Sequence, residues 1–245
     1  MKKLFILLVG IVMLQDVIAQ ELKAVKYADG AQELNGLVTS NAGKSLPGVL
    51  ILPAWMGIDD EAKTAALDLE KQGYIAFVAD IYGKGNIPTD FASAGKMAGQ
   101  FKNDYALYQK RISLALDQLK KAGASKVAVI GYCFGGTGAL ETARASFDVT
   151  GVISIHGGLS KAADRPNGAI KTKMLVENPA EDKSVTKEAY EQLIQEMRDG
   201  KADWQIITYA NCGHTFTNPK SQEYNEVMAK RAWNHTLLFL AEVLK

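Results

Sequence analysis

Short continuous apolar runs, alternating with stretches of helical spacing, constrain this chain more than any other feature. Gly48-Val49-Leu50-Ile51-Leu52 is bounded by Pro47 and Pro53, and a run of that kind fits a strand buried on both faces. Tyr74 to Ala79 and Lys126 to Gly131 predict further strands, as do Thr150 to Ile155, Thr172 to Val176 and Trp204 to Tyr209. Between them lie helical patterns. Asp59 or Asp60 caps a helix carrying Ala62, Ala65, Ala66 and Leu69, which Gly73 stops. Ile112, Ala115, Leu116 and Leu119 mark another, and Tyr190, Leu193, Ile194 and Met197 a third. Thr137 to Ala145 and about Tyr224 to Leu244 complete the set, the last as a closing amphipathic helix. Strands that alternate with helices imply an α/β fold, a mostly parallel sheet with helices on both faces.

Two segments depart from that alternation. Val25 to Tyr27 and Leu34 to Val38 predict a short edge hairpin around Asp29-Gly30. The Gly-rich stretch from Gly83 to about Gly99 contains Pro88 and a short helical piece, and a segment of this sort often overhangs a site.

The N-terminus predicts export. Lys2 and Lys3 precede an apolar run from Leu4 to Leu14, and Val17-Ile18-Ala19 offers small or apolar residues at a cleavage position. This is the pattern of a secretory signal over residues 1–19, with an apolar run too short to span a bilayer. The expected location is the periplasm or the medium, with one domain over residues 20–245. The chain has 245 residues and a formal net charge of +1, so no basic field points to nucleic acid. Cleavage after Ala19 removes Lys2, Lys3 and Asp16 and leaves a mature chain of no net formal charge.

The chemistry is carried by Gly131-Tyr132-Cys133-Phe134-Gly135-Gly136, which lies between a predicted strand and a helix. A nucleophile on a sharp strand-to-helix turn needs small residues on either side, and here Cys stands where many hydrolases have Ser. The helix N-terminus behind Cys133 favours the thiolate. Of the three histidines, His214 follows the last strand and reaches the edge where ligands gather. His156, in Ile155-His156-Gly157-Gly158, resembles an oxyanion loop but follows the nucleophile, so it reads as a structural or supporting residue. His235 falls in the terminal helix as a packing or surface residue. Asp182 is the expected acid, with Glu181 in reserve, and the order nucleophile, acid, histidine matches the hydrolase arrangement. The backbone N–H of Phe134, with that of Ala54 or Trp55, is the expected oxyanion hole.

These motifs resemble the dienelactone hydrolase family, as do Ala79-Asp80-Ile81-Tyr82-Gly83-Lys84-Gly85 and His214-Thr215-Phe216-Thr217-Asn218-Pro219. The resemblance covers nearly the whole mature chain. It implies an α/β-hydrolase fold, a Cys-Asp-His triad, no metal or cofactor, and hydrolysis of ester or lactone bonds of small molecules. It also favours Asp182, because the family's acid lies three places before an apolar residue, as Asp182 lies before Val185. Two departures stand out. The family's thiol-activating Glu is replaced by Ala54, and the places of its two substrate-binding arginines carry Lys84 and Asn218. Lys84 remains a candidate for an anionic substrate group, and Trp55, Tyr82 and Phe216 are candidate pocket walls. A rival expectation is a non-catalytic protein that binds small carboxylates on the same fold. Another makes Cys133 and Cys212 a redox pair.

Overall fold

The computed structural model describes residues 21–245, so the expected signal segment lies outside the described residues. Eight strands form one sheet in the order β1-β2-β4-β3-β5-β6-β7-β8. β1 (Lys23–Asp29) and β2 (Gln32–Val38) make the expected edge hairpin, and β2 joins β4 (Ile75–Val78) antiparallel. From β4 onward every pairing is parallel, through β3 (Gly48–Leu52), β5 (Val127–Tyr132), β6 (Gly151–Ile155), β7 (Lys173–Pro179) and β8 (Trp204–Tyr209).

The continuous apolar runs exist because both faces of the sheet are covered. In β3, Val49 and Ile51 point to a layer containing α1 (Asp60–Lys71) and α6 (Glu226–Leu244). Leu50 and Leu52 point to the opposite layer, built from α2 (Phe91–Asn103), α3 (Tyr105–Lys121), α4 (Phe134–Arg144) and α5 (Lys187–Asp199). Successive side chains of a strand alternate faces, so a strand between two helical layers must be apolar throughout. Asp59 is the cap of α1, its side chain accepting from the Ala62 N–H at 3.0 Å.

Three boundaries differ from expectation. The segment after Gly83 holds a full helix, α2, started by a capping box between Asp90 and Ser93. The helix after the glycine-rich turn begins at Phe134, immediately behind Cys133. β7 extends to Pro179 because Glu177 and Asn178, polar by sequence, pair with Ile207 and Thr208 of β8. Among the described residues, no helix is long and apolar enough to cross a membrane.

A buried ion cluster ties α4 to α5. Arg144 reaches Glu141 at 2.9 Å and Glu196 at 2.8 Å, and Arg165 meets Glu141 at 2.6 Å. Arg144 also donates to the Leu159 carbonyl at 3.0 Å, so the segment after β6 is held to the same cluster.

Candidate active site

Cys133 sits between the end of β5 and the start of α4 with φ 52° and ψ −111°. That is a left-handed conformation, strained for any residue with a Cβ. The flanking glycines explain how it is tolerated. A Cβ at Gly131 would overlap the Gly135 carbonyl, and one at Gly135 would overlap the Leu52 carbonyl at the end of β3. The turn is therefore packed backbone against backbone. This packing also sets the Leu52 and Pro53 carbonyls, where β3 ends, against the first turn of α4. Phe134 opens that helix, where N–H groups have no partner within the helix.

The structure brings Cys133, His214 and Asp182 together. His214 Nε2 lies 3.1 Å from Cys133 Sγ, and His214 Nδ1 lies 2.7 Å from Asp182 Oδ2. Asp182 is buried, whereas Glu181 is exposed, so Asp182 is the carboxylate that reaches the imidazole. Ser184, which the sequence did not single out, supports it. The Ser184 hydroxyl and N–H both donate to Asp182 Oδ1, at 2.6 and 2.8 Å.

The electrostatics suit a charged pair. Burial opposes ionisation of both Asp182 and His214, but their mutual bond outweighs it. Asp182, helped by Ser184, is held below the usual carboxylate range. His214, bonded to Asp182 and Cys133, is pushed up to about 10. The imidazolium is thus favoured at neutral pH, and it faces Cys133 Sγ.

His156 has a definite place beside this triad. Its own φ is 40°, a second strained residue. Gly157 packs on Gly136, and a Cβ at Gly136 would lie 2.7 Å from the Gly157 Cα. The two glycine turns are in backbone contact, which puts the His156 ring against the Cys133 turn. The Cys133 N–H is shared between the Ile155 carbonyl at 3.0 Å and His156 Nδ1 at 3.1 Å. His156 Nε2 meets Thr217 Oγ1 at 2.9 Å, and the Thr217 hydroxyl donates to Glu61 Oε1 at 2.7 Å. Burial, and then His214 beside it, push His156 down to about 3, so the ring is neutral. Burial pushes Glu61 up to about 7 against the opposing Thr217 bond, with the Asp59 charge adding to the rise.

The remaining expected site residues fall as follows. Tyr82 is buried, stacks on Phe134 and donates its hydroxyl to the Trp55 carbonyl at 2.9 Å. Trp55 stacks on the exposed Phe91 of α2 with centroids 5.7 Å apart. Phe216 is fully buried against Tyr209, in a cluster with Cys212 and Ala232, which makes it core and not an open wall. Lys84 is exposed and pairs with Glu33 at 3.5 Å. Asn218 accepts from the Lys220 N–H within its own loop. His235 packs on Tyr209, its Nδ1 2.8 Å from the hydroxyl. Cys133 and Cys212 are both free thiols, and Cys212 Sγ lies 3.4 Å from the Ala210 carbonyl. A cleft of about 440 Å³ is lined by Thr137, Gly158, Phe101, Lys102 and Ser184 among others, Ser184 being the residue that also donates to Asp182.

The dienelactone hydrolase family profile matches residues 34–244, from β2 to the end of α6. The chain belongs to the dienelactone hydrolase family. The hydrolase class and the α/β-hydrolase architecture expected from the sequence both hold. A Bradyrhizobium relative named "Probable 2-oxo-3-(5-oxofuran-2-ylidene)propanoate lactonase" is 26% identical over 208 residues, 80% of this chain and 83% of its own. The solved structure of a dienelactone hydrolase-like promiscuous phosphotriesterase from metagenomic libraries is 32% identical. It superposes with a TM-score of 0.84 over 92% of this chain and 99% of its own. A second solved structure, called m3DLH, is 30% identical with a TM-score of 0.87, over 93% and 100% of the two chains.

Proposed function

We propose that this protein hydrolyses ester or lactone bonds of small molecules through an acyl-enzyme on Cys133. The observation that carries the reading is the unbroken chain from Cys133 Sγ to His214 to Asp182, mounted on a strained strand-to-helix turn. A protein that only bound carboxylates would need no imidazole held between a thiol and a buried carboxylate.

The steps follow from the geometry. Cys133 thiolate attacks the carbonyl carbon, and the oxyanion forms against the Phe134 N–H and an N–H of the loop carrying Ala54 and Trp55. The tetrahedral intermediate collapses, and His214 Nε2 gives its proton to the departing alkoxide. A lactone keeps that alkoxide as a tethered alcohol. His214, now neutral, takes a proton from water, whose oxygen attacks the thioester and releases the acid. Asp182 orients the ring and balances the imidazolium in both halves.

With Ala54 in the place of the family's glutamate, no carboxylate stands beside the thiol at that position. The imidazolium of His214 and the N-terminal end of α4 are the groups left to favour the thiolate. The Bradyrhizobium relative's name supports lactones as one substrate group, and the balanced charge of the mature chain favours neither sign of ligand. We place the reaction outside the cytoplasm, on the strength of the signal pattern in residues 1–19.

Turnover of a p-nitrophenyl ester by the wild type and by Cys133→Ala tests the reading. The wild type should show a burst and an acyl adduct on Cys133, and the variant neither. Undiminished turnover by Cys133→Ala would overturn it.

A further inference from the structure

Cys133 and His156 are both held at left-handed φ, and they touch. Strain of this kind is costly and persists only where the surroundings over-determine it. The glycine contacts explain why the turn can form. They do not explain what fixes the His156 ring, nor why its far nitrogen leads away from the triad to a carboxylate on a distant helix.

The hydrogen-bond chain supplies the answer, and its direction is determined at every link. The Cys133 N–H is a donor, so His156 Nδ1 must accept. The neutral ring then carries its proton on Nε2, which donates to Thr217 Oγ1. The Thr217 hydroxyl, having accepted, donates to Glu61 Oε1. Glu61 is anchored in the first turn of α1, directly behind the Asp59 cap. Thr217 lies on the same loop as His214, three residues on. His156 also meets the His214 ring edge-on, with centroids 5.2 Å apart. One chain thus touches the nucleophile's peptide, the loop of the base and the ring of the base.

We propose that Glu61, acting through Thr217 and His156, is a positioning residue that fixes the Cys133 peptide and so the line from Sγ to His214. The proposal rests on Cys133 being the nucleophile. Glu61 fixes the Thr217 hydroxyl, Thr217 fixes the tautomer and plane of His156, and His156 holds the Cys133 N–H. When the chain is broken, the Cys133 peptide keeps only the Ile155 carbonyl as partner and can rotate, which carries Sγ off the His214 ring. None of Glu61, Thr217 and His156 lines the cleft that Ser184 borders, so the loss is expected to fall on kcat.

Four variants test this: Thr217→Val and Glu61→Met, which break the chain, and Thr217→Ser and Glu61→Gln, which keep a hydroxyl or an acceptor oxygen in place. The readouts are iodoacetamide alkylation of Cys133, followed by peptide mass, and the kcat and KM of ester hydrolysis. Breaking the chain should lower kcat by about tenfold or more, since small misplacements of reacting atoms are costly, with KM within about twofold. Alkylation at neutral pH should slow with it. Thr217→Ser and Glu61→Gln should recover most of both. If Thr217→Val does not fold, Glu61→Met decides, since its partner loop is left intact. Wild-type kcat and alkylation in a folded chain-breaking variant would overturn the proposal. So would conservative variants that fall as far as the disruptive ones. If no protein in the set, wild type included, turns over esters, the hydrolase reading fails and the alkylation comparison alone decides the positioning role.

Discussion

Replacing Glu61 by Gln gives the most direct energetic test of the structure. Glu61 is partly buried at the start of α1, and its proton is held from the ordinary glutamate value of 4.5 up to about 7. The folded protein therefore binds a proton there more tightly than the unfolded chain does. The favourable contribution is complete below about pH 4.5 and is lost as pH rises through about 7. A difference of this size corresponds to about 3 kcal/mol. Solvent reaching the partly exposed side chain reduces that to about 2 kcal/mol. Gln accepts the Thr217 hydroxyl through its amide oxygen and never ionises, so it lacks the pH-dependent part.

The assay is urea unfolding of both proteins at about pH 4 and about pH 8, read as the stability difference between them at each pH. Relative to Glu61→Gln, the wild type should lose about 2 kcal/mol between the two conditions, equivalent to roughly 4–8 °C in Tm for a chain of this size. His156, His214 and Asp182 titrate alike in both proteins and cancel. Asp59, whose own carboxyl is pushed up by burial and whose charge adds to the rise at Glu61, is common to both proteins. A stability difference unchanged to within about 0.5 kcal/mol between the two conditions would mean that Glu61 ionises as an exposed glutamate does, refuting its burial against Thr217.

Three further substitutions probe the site and its support. Asp182→Asn should lower kcat/KM for esters by about 10³–10⁴-fold, because the amide cannot balance an imidazolium and fixes the wrong tautomer of His214. Gly135→Ala places a Cβ on the Leu52 carbonyl, so the nucleophile turn must move. The expected result is a loss of about 1–3 kcal/mol in urea unfolding together with a fall in kcat. Arg144→Ala leaves Glu196 without its buried cation and Glu141 with Arg165 and Gln109. It should lower stability by about 3–5 kcal/mol in urea unfolding.

How far the sequence revealed the molecule depends on the kind of signal each feature leaves. The parallel strands were legible because a strand between two helical layers, such as Gly48–Leu52, has no polar face to show. The same signal failed at the end of β7, where Glu177 and Asn178 occupy ladder positions with polar side chains. The helix at Phe91–Asn103 was read as a short piece because its glycines and Pro88 nearby look like loop, while its capping box at Asp90 and Ser93 decides otherwise. Cys133, Asp182 and His214 were legible as an ordered set at strand ends. Phe216 and Lys84 were not placed by the same logic. An aromatic ring past a strand end can turn into the core, as Phe216 does against Tyr209, and a lysine there can find a neighbouring strand's carboxylate, as Lys84 finds Glu33.

The chain from Glu61 to Cys133 marks the boundary of what periodicity and motif can show. Glu61 and Thr217 are 156 residues apart, and a single hydrogen bond between two helix and loop side chains leaves no repeat or spacing. Yet its endpoint was marked. Gly135-Gly136 and Gly157-Gly158 stood out in the sequence as separate motifs, the second resembling an oxyanion loop in the wrong place. The structure shows that they are two halves of one contact, Gly136 against Gly157, and that His156 Nδ1 accepts from the Cys133 N–H there. Glycine pairs flanking a functional residue record where backbones must touch. That record tells which turns meet, and the meeting of the Cys133 and His156 turns is what the proposed role of His156 rests on.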